Sequence, residues 1–365
     1  TLYRLRNRFN GRPLPRVQIV DMKEELKMGN DLSLSYPLRE AIHDTAAADK
    51  QTILLLNRRG NRRALVCVDC RETPECPRCS IRLTYHSANE RLMCHDCGHS
   101  IRKPQRCPTC GGPMKTIGTG TQKVQSELEY LFPDWSSIRM DTDTVNAVNT
   151  HEAILNRFRQ ENIPVLVGTQ RVAKGLDMPN VTLVGVLDAD LSLYAQSYRA
   201  AETTFNMLTQ VVGRAGRGET AGQAIVQTLV PDHPVLNLAA RQDYDSFYEL
   251  EIRLRQALGN PPFADLVQIT FTGQEETAVL RAGVQFREAL QACLKLPDYK
   301  EEQCTLFGPA PCPVPKINYH FRYRLTLRCR MTRQLRQLIA HLLRQFMRDS
   351  GNRGVTAFAD VNGYD

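Results

Sequence analysis

The sequence predicts an α/β protein: a parallel sheet with helices on both faces, interrupted by a cysteine-rich module and followed by a small α+β domain. Three observations carry that expectation. Short apolar runs such as Thr52-Ile-Leu-Leu-Leu56 and Val181 to Leu187 are bounded by polar residues and do not alternate, as strands buried on both faces of a parallel sheet do not. These runs alternate with stretches of helical periodicity, the signature of right-handed crossover units. Four Cys-x-x-Cys pairs fall between Cys67 and Cys110, where the alternation stops before resuming.

Taken in order, residues 1–13 are basic and Pro-interrupted, which predicts a connecting arm. Val17 to Val20 reads as a strand, Pro37 to Thr45 as a helix with Leu38, Ile42 and Ala46 in step, and residues 52–56 as a buried strand. Beyond the cysteines come a helix from Thr121 (Val124, Leu128, Leu131), the strand Ser137 to Met140, a helix over 151–160 and the strand Pro164 to Val167. Strand Val181 to Leu187 then leads to a helix over 199–213, whose Ala201, Phe205, Leu208 and Val212 form one apolar stripe, and strand 224–229 closes the series. Residues 14–235 are therefore expected to form one α/β domain with residues 67–110 inserted as a module.

After Pro231 the texture changes. A helical linker over 236–261, with a helix from about 243 to 258, ends at the Pro261-Pro262 break. Residues 262–365 form the α+β domain: strand 266–272, helix 276–294, a Pro-rich loop over 308–315, strand Tyr323 to Arg330, helix 332–348 and strand 355–361. Strand Tyr323 to Arg330 alternates Tyr, Leu, Leu and Cys against Arg, Thr, Arg and Arg. Its basic face reads as a solvated edge or a nucleic-acid surface.

Composition bounds the function. In 365 residues, 47 Lys plus Arg stand against 39 Asp plus Glu, a net +8 that permits a nucleic-acid partner without requiring one. No stretch approaches the ~20 apolar residues of a membrane helix, and the first residues lack the apolar core of a secretory signal, so a soluble, cytoplasmic protein is expected. A monomer is expected as well. Thr1 is not an initiator Met, which reads as a processed, excised or incomplete chain. Cys293, Cys304, Cys312 and Cys329 lie outside the paired window and read as ordinary small core residues.

Within the window, each Cys-x-x-Cys pair brings two thiolates to one tight turn, and two such turns complete a tetrahedral cage for zinc. Disulfides belong to secreted proteins, so paired knuckles in a long chain without a signal favour metal. Five residues, 71–75, leave little room for the first two knuckles to face each other. A nested arrangement follows: Cys67, Cys70, Cys107 and Cys110 for one Zn2+, Cys76, Cys79, Cys94 and Cys97 for a second. The inner four embrace a β-hairpin turning at Ser87 to Asn89. His86, His95 and His99 are alternative ligands that eight thiolates make unnecessary. The window and its approach are rich in arginine, Arg58 and Arg59 included, with Tyr85 at the hairpin, which suits phosphate contact and base stacking; a solvated zinc module is the bland alternative.

Phosphate chemistry is also written downstream. Gln210-Val-Val-Gly-Arg-Ala-Gly-Arg217 ends an amphipathic helix, and Arg214 and Arg217 can both reach a γ-phosphate presented by a neighbouring domain. Gly168-Thr-Gln-Arg-Val-Ala-Lys-Gly-Leu-Asp177 follows an apolar strand; Gly175 and Asp177 are placed to line a nucleotide ribose and Thr169 to meet a nucleic-acid phosphate. Gly118-Thr-Gly-Thr-Gln122 opens a helix whose free N–H groups make a phosphate cradle at Thr119 and Thr121. Asp188-Ala-Asp190 is a weak candidate for a metal pair.

In this order, Asn57-Arg-Arg-Gly60, the nested cysteines, Gly118 to Gln122, Gly168 to Asp177 with Pro179-Asn-Val, Val184 to Asp190, Arg199-Ala-Ala-Glu202 and Gln210 to Arg217 resemble the primosomal protein N′ (PriA) family, bacterial replication-restart DNA helicases. The resemblance implies a RecA-like second helicase lobe over 14–235 and a C-terminal domain that helps bind branched DNA. It implies Arg214 and Arg217 on the γ-phosphate with Gln210 in support, Gly175 and Asp177 at the nucleotide cleft, and Thr169 and Thr119 near the DNA backbone. It further implies ATP with Mg2+, a 3′-to-5′ polarity, forked, single-stranded and duplex DNA as partners, and single-stranded DNA-binding protein and primosome proteins as docking partners. No Gly-x-x-x-x-Gly-Lys-Ser/Thr loop or Asp-Glu-x-His pair is present, so the chain is expected to be the C-terminal half, unable to hydrolyse ATP alone. The competing expectation is a non-catalytic zinc-ribbon module that binds fork DNA and partners.

Overall fold

The computed structural model describes residues 14–56, 64–70, 72–77, 83–86, 90–94, 98–117, 120–140, 150–169, 178–193, 195, 197–216 and 220–363. In chain order the first elements are β1 (Arg16–Asp21), α1 (Met22–Lys27), α2 (Tyr36–Ala47), β2 (Gln51–Leu56), β3 (Ala64–Cys67), β4 (Thr84–His86), β5 (Arg91–Met93), β6 (Ser100–Arg102), β7 (Met114–Ile117), α3 (Thr121–Leu131) and β8 (Ser137–Met140). There follow α4 (His151–Gln160), β9 (Val165–Gly168), β10 (Val181–Leu187), α5 (Asp190–Leu193), α6 (Ala200–Val212), β11 (Gln223–Thr228), α7 (Pro234–Arg241) and α8 (Tyr244–Leu258). The chain ends with β12 (Asp265–Gly273), α9 (Glu276–Leu294), β13 (Cys304–Ile317), β14 (His320–Cys329), α10 (Arg333–Arg348) and β15 (Val355–Val361). Two compact units result: residues 1–72, 104–195 and 199–248 form the first, and residues 73–103, 196–198 and 249–365 the second.

In the first unit, six parallel strands lie in the order β1-β11-β10-β2-β9-β8. β2 and β10 are buried along their whole lengths, which is why they carry unbroken apolar runs. Ser35 caps α2 by accepting from the Leu38 N–H, and the helix lays Leu38 and Ile42 on one face of the sheet, alongside Val124 and Leu128 of α3. That approach is close at Gly185: a Cβ there would stand 2.6 Å from Leu54 Cδ2 and 3.0 Å from Leu38 Cδ1. The opposite face holds Ile154 and Phe158 of α4, Phe205, Leu208 and Val211 of α6, and Val235, Leu236 and Ala239 of α7.

α7 differs from the expected linker beginning at 236. It is only 8 residues long, too short for periodicity to stand out, yet its apolar face joins the sheet core, as does Phe247 of α8, stacked on Phe205 with centroids 4.2 Å apart. The loop between α1 and α2 is pinned by buried polar side chains. Gln227 of β11 accepts from the Ser35 N–H and donates to the Ser33 carbonyl, and Glu127 of α3 accepts from Ser33 N–H and Oγ.

The second unit holds an antiparallel sheet in the order β13-β14-β12-β15, with α9 and α10 packed through Phe286, Leu290, Leu338 and Phe346 onto Ile269, Phe271, Leu325 and Leu327. Two expectations are corrected here. Residues 308–315 are not a loop but the middle of β13, an edge strand whose register slips between Phe307 and Ala310 and again between Pro311 and Lys316. Proline donates no ladder hydrogen bond, and a bulged edge strand is the place a sheet tolerates it. The basic face of β14 is also only partly open: Arg324 is 3% exposed and Thr326 6%, whereas Arg328 is half-buried and Arg330, just past the strand, is exposed. On that sheet, Ala310, paired with Arg324, is met by the cysteine-rich region: a Cβ at Gly98 would stand 3.7 Å from Ala310 Cβ. Among the described residues no helix is long and apolar enough to cross a membrane.

Candidate metal centre and phosphate-facing edges

The outer cysteines converge as the nested reading requires. The ligand atoms of Cys67, Cys70, Cys107 and Cys110 all lie within 4.8 Å of one another, with Sγ–Sγ separations of 3.5 Å for Cys67–Cys110 and 3.4 Å for Cys70–Cys107. A tetrahedral ion with bonds of about 2.3 Å needs sulfurs about 3.8 Å apart, so the donor set fits zinc in size as well as in chemistry. Local hydrogen bonds shape each knuckle. Cys67 N–H donates to the Glu72 carbonyl at 2.8 Å, and Cys107 N–H to Gly112 at 2.8 Å. The second turn is closed by Gly111 N–H donating to the Cys107 carbonyl at 2.9 Å, with Gly111 at φ +74, where a side chain would be strained. β3 and β7 pair antiparallel with Cys67 opposite Met114, holding the two knuckles face to face.

The four thiols perturb one another's charge. Backbone N–H donation from Cys110, against burial, draws Cys107 down to about 6. The Glu72 N–H also pulls on Cys70, but burial and the neighbouring Cys110, Cys107 and Cys67 sulfurs outweigh it and push that thiol up to about 12. Burial is the chief cause raising Cys67. Thiolates crowded together in this way are stabilised as a set by a divalent cation.

The inner site is half within view. Cys76 and Cys94 are buried, while Cys79 and Cys97 lie outside the described residues. The Cys94 knuckle repeats the outer pattern: its N–H donates to the His99 carbonyl at 2.8 Å, Gly98 N–H returns to the Cys94 carbonyl at 2.9 Å, and Gly98 has φ +77. β4, β5 and β6 form a three-stranded antiparallel sheet, one strand more than the expected hairpin, whose turn at 87–89 lies outside the described residues. Tyr85 is not a free stacking ring. It is 6% exposed, with the Lys103 ammonium 5.5 Å from its centroid. Arg91 is occupied by Ser100, through Nε to Oγ at 3.1 Å and Nη2 to Oγ at 2.9 Å.

The phosphate motifs sort onto two edges of the parallel sheet. α6 runs back against β10, and its end is sewn to the start of the strands: Gly216 N–H donates to the Val181 carbonyl, with Gly216 at φ +68 and a Cβ there 2.3 Å from Gly222 N. Gln210 is exposed and Arg214 half-buried at this amino edge; Arg217, Gly175 and Asp177 lie outside the described residues. Thr169 follows β9 directly and sits at the opposite, carboxyl edge. α3 leads into the start of β8, so its first turn, with buried Thr121, also lies towards the carboxyl edge. No side chain caps that helix. Thr119, Arg58 and Arg59 lie outside the described residues. β10, with 7 residues, separates the two edges by roughly 20 Å.

Asp190 has a structural task instead of a metal. Its carboxylate accepts from Thr228 Oγ1 and, at 2.8 Å, from the Leu229 N–H, and burial pushes it up to about 6. Sequence reasoning missed the outer face of α10, where Arg333, Arg336, His341, Arg344 and Arg348 are exposed and no acidic residue occurs. The 3.6-residue period of its arginines was the available signal.

The parallel sheet, the motif-bearing ends of α3 and α6 and the cysteine cage define the class: the C-terminal lobe of a helicase core carrying a zinc-ribbon insertion. Residues 119–219 match the helicase conserved C-terminal domain, residues 76–102 the PriA DNA helicase Cys-rich region domain, and residues 256–363 the primosomal protein N C-terminal domain. Replication restart protein PriA of Bacillus subtilis is 38% identical over 368 residues, covering 100% of this chain and 44% of its own length. Its counterpart in Synechocystis is 39% identical over 89% of this chain and 39% of its own length, and that of Chlamydia pneumoniae 33% identical over 94% and 45%. The chain belongs to the PriA family and spans less than half the length of these relatives, matching their C-terminal half.

Proposed function

We propose that the chain supplies the second motor lobe, the zinc module and the C-terminal DNA-binding domain of an ATP-dependent 3′-to-5′ DNA helicase that recognises stalled or branched replication forks and initiates primosome assembly. The observation that carries this reading is the division of the sheet into two edges, with Gln210 and Arg214 at one and Thr169 and Thr121 at the other. A motor lobe needs that separation, because nucleotide and nucleic acid must be held at different faces of a part that moves between them. On this reading Arg214 and Arg217 neutralise charge on the γ-phosphate, Gln210 orients them, and Gly175 and Asp177 contact the ribose. Thr119, Thr121, Thr169, Arg58 and Arg59 hold the DNA backbone. ATP and Mg2+ are shared with a first lobe, the inner cysteines hold a second Zn2+, and single-stranded DNA-binding protein and other primosome proteins dock on a cytoplasmic monomer. The exposed arginines of α10 add a phosphate-binding face to the C-terminal domain.

The test joins this chain to the N-terminal part of the Bacillus subtilis relative and measures DNA-stimulated ATP hydrolysis. Arg217→Ala is expected to lower the rate by about 10³-fold or more, the scale of an arginine finger, while DNA affinity changes less than twofold. Loss of affinity with the rate at saturating DNA unchanged would instead favour the non-catalytic binding module.

A further inference from the structure

Two of the cysteines outside the zinc window meet in the C-terminal sheet. Cys304 opens β13, Cys329 closes β14, and they stand directly opposite each other in the antiparallel ladder. Opposite residues in such a ladder have Cα atoms about 4.5–5.5 Å apart, inside the ~4.4–6.8 Å range in which a disulfide closes without backbone movement. Each thiol shifts the other's readiness to ionise, Cys329 drawing Cys304 down and Cys304 pushing Cys329 up. Their surroundings differ. Cys329 is 4% exposed, whereas Cys304 is only half-buried. The neighbouring Cys329 thiol holds Cys304 below its ordinary range against burial and the Glu302 carboxylate. Cys304, then burial, then the neighbouring charges including Asp265 and Glu302, push Cys329 up. An accessible sulfur that ionises early and a buried partner that keeps its proton make an attacking and a resolving thiol.

We propose that Cys304 and Cys329 are a peroxide-oxidisable dithiol, a modification site separate from the eight cysteines of the zinc window. The Cys304 thiolate attacks one oxygen of hydrogen peroxide and the O–O bond breaks, leaving a sulfenic acid and a hydroxide that takes up the proton Cys304 had released. The Cys329 sulfur then attacks Cys304 and the S–O bond breaks. The departing oxygen leaves as water with the Cys329 proton. Two thiols are oxidised to one disulfide, and one peroxide is reduced to two waters. The fold gives the link a task. β13 carries Pro309, Pro311, Pro313 and Pro315, which donate no ladder hydrogen bonds, and its longest uninterrupted pairing with β14 runs from Cys304 to Phe307 before the first slip. A covalent bond at Cys304 fixes the edge strand at the end where its register is regular.

The experiment treats the zinc-loaded full chain with stepwise hydrogen peroxide, follows zinc release with a metal-sensitive dye, and maps cross-links by mass spectrometry of a non-reducing digest. A peptide joining Cys304 to Cys329 should appear before zinc is released and should vanish on adding dithiothreitol. Cys329→Ser should abolish the link and leave Cys304 trappable by dimedone as a sulfenic acid, while Cys293→Ser, altering another cysteine packed on the same core, should leave the link intact. The proposal is overturned if Cys304 and Cys329 both stay alkylatable after the zinc sites have been oxidised, or if Cys304 links chiefly to Cys293. Should Cys329→Ser fail to fold, the wild-type map decides alone.

Discussion

The knuckles at Cys107 and Cys94 share one backbone pattern, a cysteine N–H donating five residues ahead and a left-handed glycine closing the turn, yet they are rooted in different parts of the chain. The outer pair of strands belongs with the parallel sheet: Val66 of β3 packs with Leu229, Met22 and Leu191 around the ends of the sheet strands. The inner three strands belong with the C-terminal unit, where Gly98 meets Ala310 and Pro309 of β13. Residues 67–110, expected as one inserted module, are thus divided at 72/73 and 103/104. The same cysteine turn serves as an outgrowth of a helicase lobe in one place and as part of another domain's packing in the other.

The strongest way to break that comparison is to open one cage. Cys107→Ser removes a ligand from the outer site, where the metal supplies much of the local folding energy. Zinc content should fall by one equivalent, and amide protection should be lost over 64–70 and 104–117, while β4 to β6 keep theirs. Loss of both equivalents, with equal deprotection over 84–102, would mean that the insertion folds as a single module after all.

What could be read in advance follows from how far apart the determinants lie. The outer cage was legible because each knuckle is made by a handful of consecutive residues, and the short linker 71–75 left few ways to pair them. The buried runs of β2 and β10 announced a parallel sheet for the same local reason. β13 was not legible, because four prolines speak against a strand unless a bulged edge beside β14 accepts them. Nor was the burial of Arg324, since the alternation of β14 reports which residues share a face but not what covers it. Cys304 and Cys329 each read as filler; only the register that brings them together makes them a pair. The arginine end of α6 was legible as a motif, but its chemistry depends on a partner lobe that no local pattern describes.

A second perturbation acts on the anchorage of the outer strands. Asp190 joins the ends of β10 and β11 through Thr228 and Leu229, and Leu229 is one of the residues against which Val66 packs. Its pKa of about 6 in the fold lies above the ordinary aspartate value of 3.8, because burial penalises the charged form. A raised carboxyl pKa means that stability is fully present below about pH 4 and is lost as pH rises through 6. Asp190→Asn resembles the protonated acid in shape and cannot ionise. Relative to wild type it should gain stability between pH 4 and 7.5, by up to about 3 kcal/mol if the whole shift is realised. Denaturant melts of the first unit at both pH values measure this. A pH-independent difference would show that the carboxylate is not the titrating group.

The gentlest test leaves every polar group in place and asks whether the sheet carries the outer strands with it. Gly185 lies in β10 beneath α2, and a methyl there meets Leu54 and Leu38 at 2.6 and 3.0 Å. Both neighbours are leucine side-chain ends that can turn aside, so Gly185→Ala should cost about 1–2 kcal/mol of overpacking. Because Val66 and Leu229 are packed together, the loss should appear equally in the protection of β2, β10 and β3. Protection of β4 to β6 and of β12 to β15 should not change, since those strands belong to the other unit. If β3 kept its protection while β10 lost it, the outer cage would be held by its metal alone, and its membership of the parallel-sheet unit would be proximity without energetic coupling.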